Sequence, residues 1–516
     1  MELSNLAYKI KDNSENYIEF YSKKSNIKKN FSEFYKDVLS VISFLRKRDI
    51  KQGQSVGVYG KNSYEWVVVD VACFIGNYVL VAFPDTLSGE IVKNNINQFD
   101  VKILFADNDL MNNLDIQIDI ENLEQVAFYD KEDEITDIPI LNGKRNFTIV
   151  FSSGTTGIPK AMALRQESIE QTIMSSVKFF ELEKDDKNLC FLPLSIFTSR
   201  LYIYSAFLLG FNVAITTPEL VMSALRMFKP TIMQGVPYFF ENMANLYKIK
   251  LGETISRKLY YITYQIYKKL GINSMYEKCR KRIFGEFKNI FGGKIRILVT
   301  GTAPISEKTL ILYKEADIDL FESYGLNETG VLTVNYPNNC KFGSVGKILP
   351  QYEITFDSQQ QVLVKSEYFW SSGYLNSENG SNINKDGFLE TGDIGYIDED
   401  GFLFIRGRCV DVITLKNGIK LNPADIEKMI NKNEYIKQSI VYSDDLKKVK
   451  AIVVKRNKEV SNKEIAAAIE AVNKQLELSK RISEYSCTDE DFSVKNNMLT
   501  PNLKLNRKYV VEKFKK

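Results

Sequence analysis

The sequence predicts an α/β protein with a large N-terminal domain of wound α/β layers and a small α+β domain at the C-terminus. Three observations predict it. Strand and helix patterns alternate between residues 55 and 106. The same alternation returns between residues 147 and 300. Beyond a DEDG turn at 398–401 the rhythm changes to short strands and two helices in about a hundred residues, enough to fold alone.

The first alternation runs through a strand at 55–60 (SVGVYG), a helix at 65–77 (EWVVVDVACFIGN) and a strand at 78–83 (YVLVAF). An amphipathic helix at 89–99 and a strand at 101–106 (VKILFA) follow. Unbroken apolar strands separated by helices belong to a parallel sheet covered on both faces. In the second stretch, 147–151, 212–216, 231–234 and 295–300 read as strands, and 166–180, 219–228 and 238–249 as helices. The uncharged run 201–218 is interrupted by Gly210 and Asn212. It is too short and polar for a bilayer span and reads as a buried helix followed by a strand. Residues 250–289, rich in Lys and Tyr, read as helix on the surface. Later come strands at 402–406 and 411–415, a helix at 423–430, strands at 439–443 and 451–454, and a helix at 462–478. The boundary falls near 407–410, dividing the chain into 1–408 and 409–516.

The 516 residues are 44% hydrophobic and 26% charged, the balance of a folded globular chain rather than a disordered or polytopic one. A net charge of +3 gives no basic excess pointing to nucleic acid. There is no histidine. Ser-His-Asp hydrolysis, His-ligated zinc and His acid–base chemistry are therefore excluded. Proton handling falls to Lys, carboxylates, Tyr or the substrate. The six cysteines are scattered without a C-x-x-C pair, so neither a zinc knuckle nor a disulfide framework is indicated. Residues 1–12 lack an apolar signal core, and a cytoplasmic protein is expected.

Five short segments carry chemistry. Residues 151–160, FSSGTTGIPK, follow an apolar strand. Glycines let backbone amides converge on a phosphate, hydroxyls donate to it, and Lys160 adds charge. The same composition describes a flexible Ser/Thr/Gly turn. In ESYGLNETG, 322–330, Glu328 is either a carboxylate holding Mg²⁺ with phosphate oxygens or part of a turn. In TGDIG, 391–395, Asp393 is either an acceptor for ribose hydroxyls or the Asp of a β-turn. Residues 407–427 supply Arg408, a turn at Gly418 and a helix opening at Pro423. Lys504 lies in TPNLKLNRK, 500–508, which also reads as a solvated cationic tail.

In this order the segments resemble the adenylate-forming superfamily of acyl-CoA synthetases, luciferases and peptide-synthetase adenylation domains, most closely its long-chain fatty acyl-CoA synthetases. Further likeness lies in FLPLS (191–195), FGGKIRILVTGTAPIS (291–306), GSVGK (343–347) and TGDIGYIDEDGFLFIRGR (391–408), and extends over 31–516. The resemblance implies an AMP-forming acid–thiol ligase using ATP, Mg²⁺ and CoA as acceptor. Residues 1–408 become the AMP- and acyl-binding domain, and 409–516 a mobile domain carrying the catalytic lysine.

Residue by residue, the resemblance implies that Ser152, Ser153, Gly154, Thr155, Thr156, Gly157 and Lys160 wrap the β- and γ-phosphates. Ser152 and Glu328 would hold Mg²⁺. Gly301, Thr302, Ala303 and Pro304, with Glu322, Ser323, Tyr324 and Gly325, would border the adenine. Asp393 would bind ribose with Arg408 nearby. Lys504 would bridge the attacking carboxylate and the α-phosphate, Gly418 would lie beside entering pantetheine, and Val410 would be the hinge. Asn327 stands where the family usually has Thr, and its amide can donate to a phosphate oxygen. Val410 and Thr414 replace frequent lysines, and Ile196 a usual histidine.

No Asp or Glu occurs between Lys187 and Glu219 to pair with an amino-acid ammonium, so a medium- to long-chain fatty acid is the expected substrate. The alternatives are delivery to an acyl carrier protein thiol, an aryl-acid CoA ligase, or a degenerate homologue that binds without turnover. No nucleic-acid partner and at most peripheral membrane contact are expected.

Overall fold

Two sheets of mainly parallel strands form the larger unit of a computed structural model. It describes residues 2–23, 26–112, 114–128, 138–152, 159–252, 255–375, 383–493, 496–499 and 505–515, without the side chains of 249–260. The larger unit holds Met1–Glu353 and Ser366–Asn382, the smaller Ile354–Lys365 and Ile383–Lys516. The α/β class expected from the alternation is the class observed.

The six-stranded sheet has the order Asp119–Asn122, Val101–Ala106, Ser55–Tyr59, Val79–Phe83, Asn146–Ser152, Lys160–Arg165. Its first five strands are parallel and the last is antiparallel. In the nine-stranded sheet the six strands from Leu320–Leu326 through Ile297–Thr300, Ile232–Gly235, Lys187–Cys190 and Asn212–Thr216 to Tyr17–Tyr21 are parallel. Antiparallel strands close both edges: Gly330–Val334 and Lys347–Ile348 at one, Asn26–Asn30 at the other.

Helix Tyr64–Ile75, capped by the Ser63 hydroxyl, is buried on every side. Helix Phe197–Leu209 is nearly as buried and ends at Gly210. A helix apolar all round belongs inside a large protein. Between these two helices lies a buried ion pair, Arg200 Nη1 to Asp70 Oδ1 at 2.8 Å. Arg200 Nη2 also donates to Thr148 Oγ1 at 3.2 Å, and the guanidinium lies over the Phe197 ring.

Residues 250–289 are helical, as Ile255–Leu270 and Asn273–Ile290, but the expectation of a purely surface position is corrected. Tyr264, Cys279, Ile283, Phe284 and Phe287 are buried in the core. In the second helix the three- and four-residue spacing of Cys279, Ile283, Phe284 and Phe287 puts them on one face. Residues 219–228 begin as a 3₁₀ turn, Pro218–Leu220, before helix Val221–Phe228.

A four-stranded sheet, Glu353–Phe356, Gln361–Lys365, Leu389–Ile397 and Leu403–Arg408, belongs from Ile354 onward to the smaller unit. A three-stranded sheet of Ile436–Tyr442, Val449–Lys455 and Ile482–Thr488 follows. On one face of Val449–Lys455, Ala451 and Val453 meet helices Pro423–Asn431 and Asn462–Asn473. Alternate residues Ile452 and Val454 pack with Met498 and Val510. Burial on both faces explains the unbroken apolar run. The strand expected at 411–415 is a 3₁₀ turn, Cys409–Asp411, then Ile413–Thr414, and the helix expected to reach 478 ends at Asn473. Among the described residues no helix is long and apolar enough to cross a membrane.

Candidate active site

In the larger unit, Ser152 ends one strand and Lys160 opens its antiparallel partner, the two being directly paired. The Ser152 hydroxyl donates to the Lys160 carbonyl at 3.3 Å. Ser153, Gly154, Thr155, Thr156 and Gly157 lie outside the described residues. The Lys160 ammonium stands 4.8 Å from the centroid of the Tyr374 ring, and the Tyr374 hydroxyl donates to Glu328 Oε1. Lys160, Tyr374 and Glu328 thus form a continuous chain of contacts. A cation over an aromatic face and a donor on a carboxylate hold both charges in fixed places. Tyr374 is a residue that sequence reasoning missed, since it sits in a loop with no motif of its own.

The segment 322–330 is not wholly a turn. Strand Leu320–Leu326 runs through Glu322, Ser323, Tyr324 and Gly325, and only 327–329, holding Asn327 and Glu328, form the turn. Buried Thr329 locks it: its hydroxyl accepts from the Leu326 amide at 3.1 Å, and its carbonyl accepts from the Tyr352 hydroxyl at 2.6 Å. Gly330 has φ +73, and a Cβ there would lie 2.1 Å from the Trp370 ring. Glycine alone permits both the conformation and the approach. The Glu328 carbonyl accepts from the Ser371 amide at 3.0 Å. Glu328 therefore projects from a fixed backbone.

The two segments expected at the adenine come together. Thr300 pairs with Glu322 in register, so Gly301 follows beside Ser323. A Cβ on Gly301 would meet Ser323 Oγ at 2.7 Å. Thr302 is left-handed, φ +73, and the loop continues through Ala303 and Pro304. Ser323 also lines a narrow pocket with Phe180, Leu201, Tyr202, Gln234, Val299 and Val331. Among the described residues no charged side chain lines it. Burial pushes the Tyr202 phenol above its ordinary value, and the Gln234 Oε1 is buried without a hydrogen-bond partner.

In the smaller unit, Asp393 and Arg408 face each other across paired strands. Arg408 Nε lies 3.0 Å from Asp393 Oδ1, and Arg408 Nη1 donates to the Thr391 carbonyl at 3.1 Å. Asp393 is in the middle of strand Leu389–Ile397, which corrects the β-turn reading. Val410 is 89% exposed in the 3₁₀ turn. Gly418 has φ +83, and a Cβ there would meet nothing within 4 Å. Lys504 lies outside the described residues. Close after it, Arg507 makes a two-pronged bond to Glu427, at 2.6 and 2.8 Å. Burial alone would lower the Arg507 guanidinium, and the Glu427 carboxylate holds it above its ordinary value. Among the described residues no group of three or more Cys, Asp and Glu could hold a metal ion by itself.

A family model described as AMP-binding enzyme matches residues 10–365, and one described as AMP-binding enzyme C-terminal domain matches 410–516. The long-chain-fatty-acid–CoA ligase FadD15 of Mycobacterium bovis is 25% identical, over 90% of this chain and 87% of its own. Human long-chain-fatty-acid–CoA ligase ACSBG2 is 25% identical, over 94% of this chain and 87% of its own. Among solved structures, the anthranilate CoA ligase AuaEII in complex with anthranoyl-AMP has the same fold. Its TM-score is 0.78 at 16% identity, over 99% of this chain and 97% of that one. ATP-bound MatB from Rhodopseudomonas palustris also scores 0.78, at 19% identity, over 100% and 99% of the two chains. The chain belongs to the AMP-binding enzyme family, within the adenylate-forming superfamily of ligases.

Proposed function

We propose that this ligase activates a medium- to long-chain fatty acid with ATP and passes the acyl group to the thiol of CoA. The observation that supports the acid class is the uncharged lining of the narrow pocket bordered by Ser323, the residue that also abuts Gly301. An ammonium or second carboxylate buried there would lack a charged partner and cost several kcal/mol. In the first step a carboxylate oxygen bonds to the α-phosphorus as the bond to pyrophosphate breaks. In the second the thiol sulfur bonds to the acyl carbon, AMP departs, and the thiol proton passes to solvent or phosphate, because the chain has no histidine.

Both reacting partners of the first step are anions, so fixed cations and donors are the main requirement. Lys160 and the 152–157 segment serve the β- and γ-phosphates. Glu328 and Ser152 suit Mg²⁺, a hard cation usually held by one or two carboxylates together with phosphate oxygens. When bound, Mg²⁺ neutralises phosphate charge. Gly301–Pro304 and 322–325 border the base, Asp393 with Arg408 takes the ribose, and Gly418 lies on the path of pantetheine. We assign residues 1–408 to binding and 409–516 to a mobile domain that brings Lys504 to the carboxylate. A second reading, an aryl acid, draws on the Phe180 and Tyr202 rings in the pocket.

Pyrophosphate release with fatty, aryl and amino acids, without and with CoA, tests the reading. Fatty acids should lead and CoA should yield a thioester. Preferred activation of a free amino acid overturns the acid class, and thioester formation only on a carrier protein overturns the acceptor. Lys504→Ala should cut acid-dependent pyrophosphate release by about 10²–10³, by analogy with loss of an oxyanion donor. Thioester formation from synthetic acyl-AMP should survive far better.

A further inference from the structure

We infer that helices Ile255–Leu270 and Asn273–Ile290 form a docking surface for a lipid bilayer bearing anionic headgroups. Residues 255–290 carry nine Lys and Arg against two Glu, a net +7 in a chain whose total is +3. The rest of the molecule is therefore net negative; Glu315 and Asp317 pair with Lys268 and Arg280, and an excess of positive charge remains on the hairpin. The helices are doubly amphipathic. Tyr264 is buried in the core and Tyr267 packs against it. Ile262, Ile266 and Leu270, spaced four residues apart, form a stripe on the other side, exposed by 54%, 49% and 64%. Ile272 and Met275, just past the bend at Gly271, are exposed too. Lys269, Lys278 and Lys281, on the same two helices, are exposed as well.

A row of large aliphatic side chains in water is unfavourable unless something covers it. Protein–protein interfaces are depleted in lysine and anchored by Trp, Tyr and Arg in pockets. Exposed aliphatic residues together with lysines are the composition of helices lying in a bilayer interface, where each basic residue near an anionic surface adds to binding. A bilayer is the occupant that matches both the charge and the apolar stripe. It is also where an apolar acid would be most concentrated.

The test is co-sedimentation of the full chain with vesicles of phosphatidylcholine alone and of phosphatidylcholine with about one-third phosphatidylglycerol. Preferential binding to the anionic vesicles, released by high salt, is expected. Lys269→Glu, Lys278→Glu and Lys281→Glu together should weaken it at least tenfold, since each lysine is worth about fivefold. Ile262→Ser, Ile266→Ser and Leu270→Ser together should weaken it comparably. These side chains face solvent, so an unchanged melting temperature checks the fold, and the salt response tests the proposal without any variant. Equal binding to both vesicles, no binding, or indifference to both sets of changes overturns it. So does a dimer without vesicles that the Ser variant abolishes, which makes the occupant a second copy. Capture of an acidic carrier protein with no vesicle binding equally overturns it. No turnover is measured, so this proposal and the ligase reading fail separately.

Discussion

Glu328 is held on both sides, its backbone by Ser371 and Thr329 and its carboxylate by Tyr374. A hydrogen bond to a metal-ligating carboxylate typically matters by 10–100-fold in metal affinity. Tyr374→Phe should therefore raise the Mg²⁺ concentration for half-maximal pyrophosphate release by about tenfold. An unchanged Mg²⁺ titration shows that Tyr374 does not orient Glu328. Nothing around Tyr374 in sequence points to this contact, because it joins residues 46 positions apart. Arg200 is a second case. Burial pushes the Asp70 carboxyl up, and Arg200 beside it pulls back. Arg200→Ala would leave that carboxylate buried and alone, at a cost of about 3–5 kcal/mol. Thermal or urea unfolding measures it. Asp70→Leu with Arg200→Met, which removes both charges, should recover much of the loss. A double variant as unstable as Arg200→Ala shows that packing, not charge, sets the cost.

Elements were legible where burial made their patterns plain. Val79–Phe83 and Val101–Ala106 lie inside a parallel sheet and read as unbroken apolar runs. Leu320–Leu326 and Leu389–Ile397 were not, because both carry Gly, Ser, Glu or Asp residues that elsewhere signal a turn. Pairing with neighbouring strands overrode that local preference. Hairpin Tyr17–Tyr21 and Asn26–Asn30 escaped notice because its outer strand, NIKKN, is an exposed polar edge. The helix at Asn462 shows the opposite case. Ser461 and Glu464 form a capping box visible as S-x-x-E. Bonds from the Ser461 amide and hydroxyl hold the Glu464 carboxyl below its ordinary value. A depressed carboxylate contributes stability above its unfolded value, and that contribution is lost as pH falls through the folded one. Ser461→Ala should therefore lower the melting temperature at neutral pH, and the deficit should shrink as pH falls below about 4. Melting curves at neutral and acid pH check it, and an equal deficit at both rules out the carboxylate's share.

At the scale of the whole molecule, compactness and the family models divide the chain differently. Residues 354–365 and 383–408 cluster with the C-terminal residues, whereas the C-terminal family model begins at 410. The chain passes between the compact units after 353, after 365 and between 375 and 383. A pivot there would need three backbone segments to turn together. At Val410 one segment suffices, and hinges are usually a few residues at the ends of elements. The Val410 side chain is almost wholly in solvent, so changing it should disturb no packing. Proline would fix φ near −65° and remove the amide donor. If residue 410 turns between two poses, Val410→Pro suits at most one of them. Pyrophosphate release and thioester formation from synthetic acyl-AMP should then fall unequally, by at least about tenfold, ~1.4 kcal/mol in barrier. Val410→Ala, which leaves φ free, should keep both. A folded Val410→Pro protein with both half-reactions at wild-type rates moves the pivot away from residue 410, and the three-strand crossing becomes the place to look.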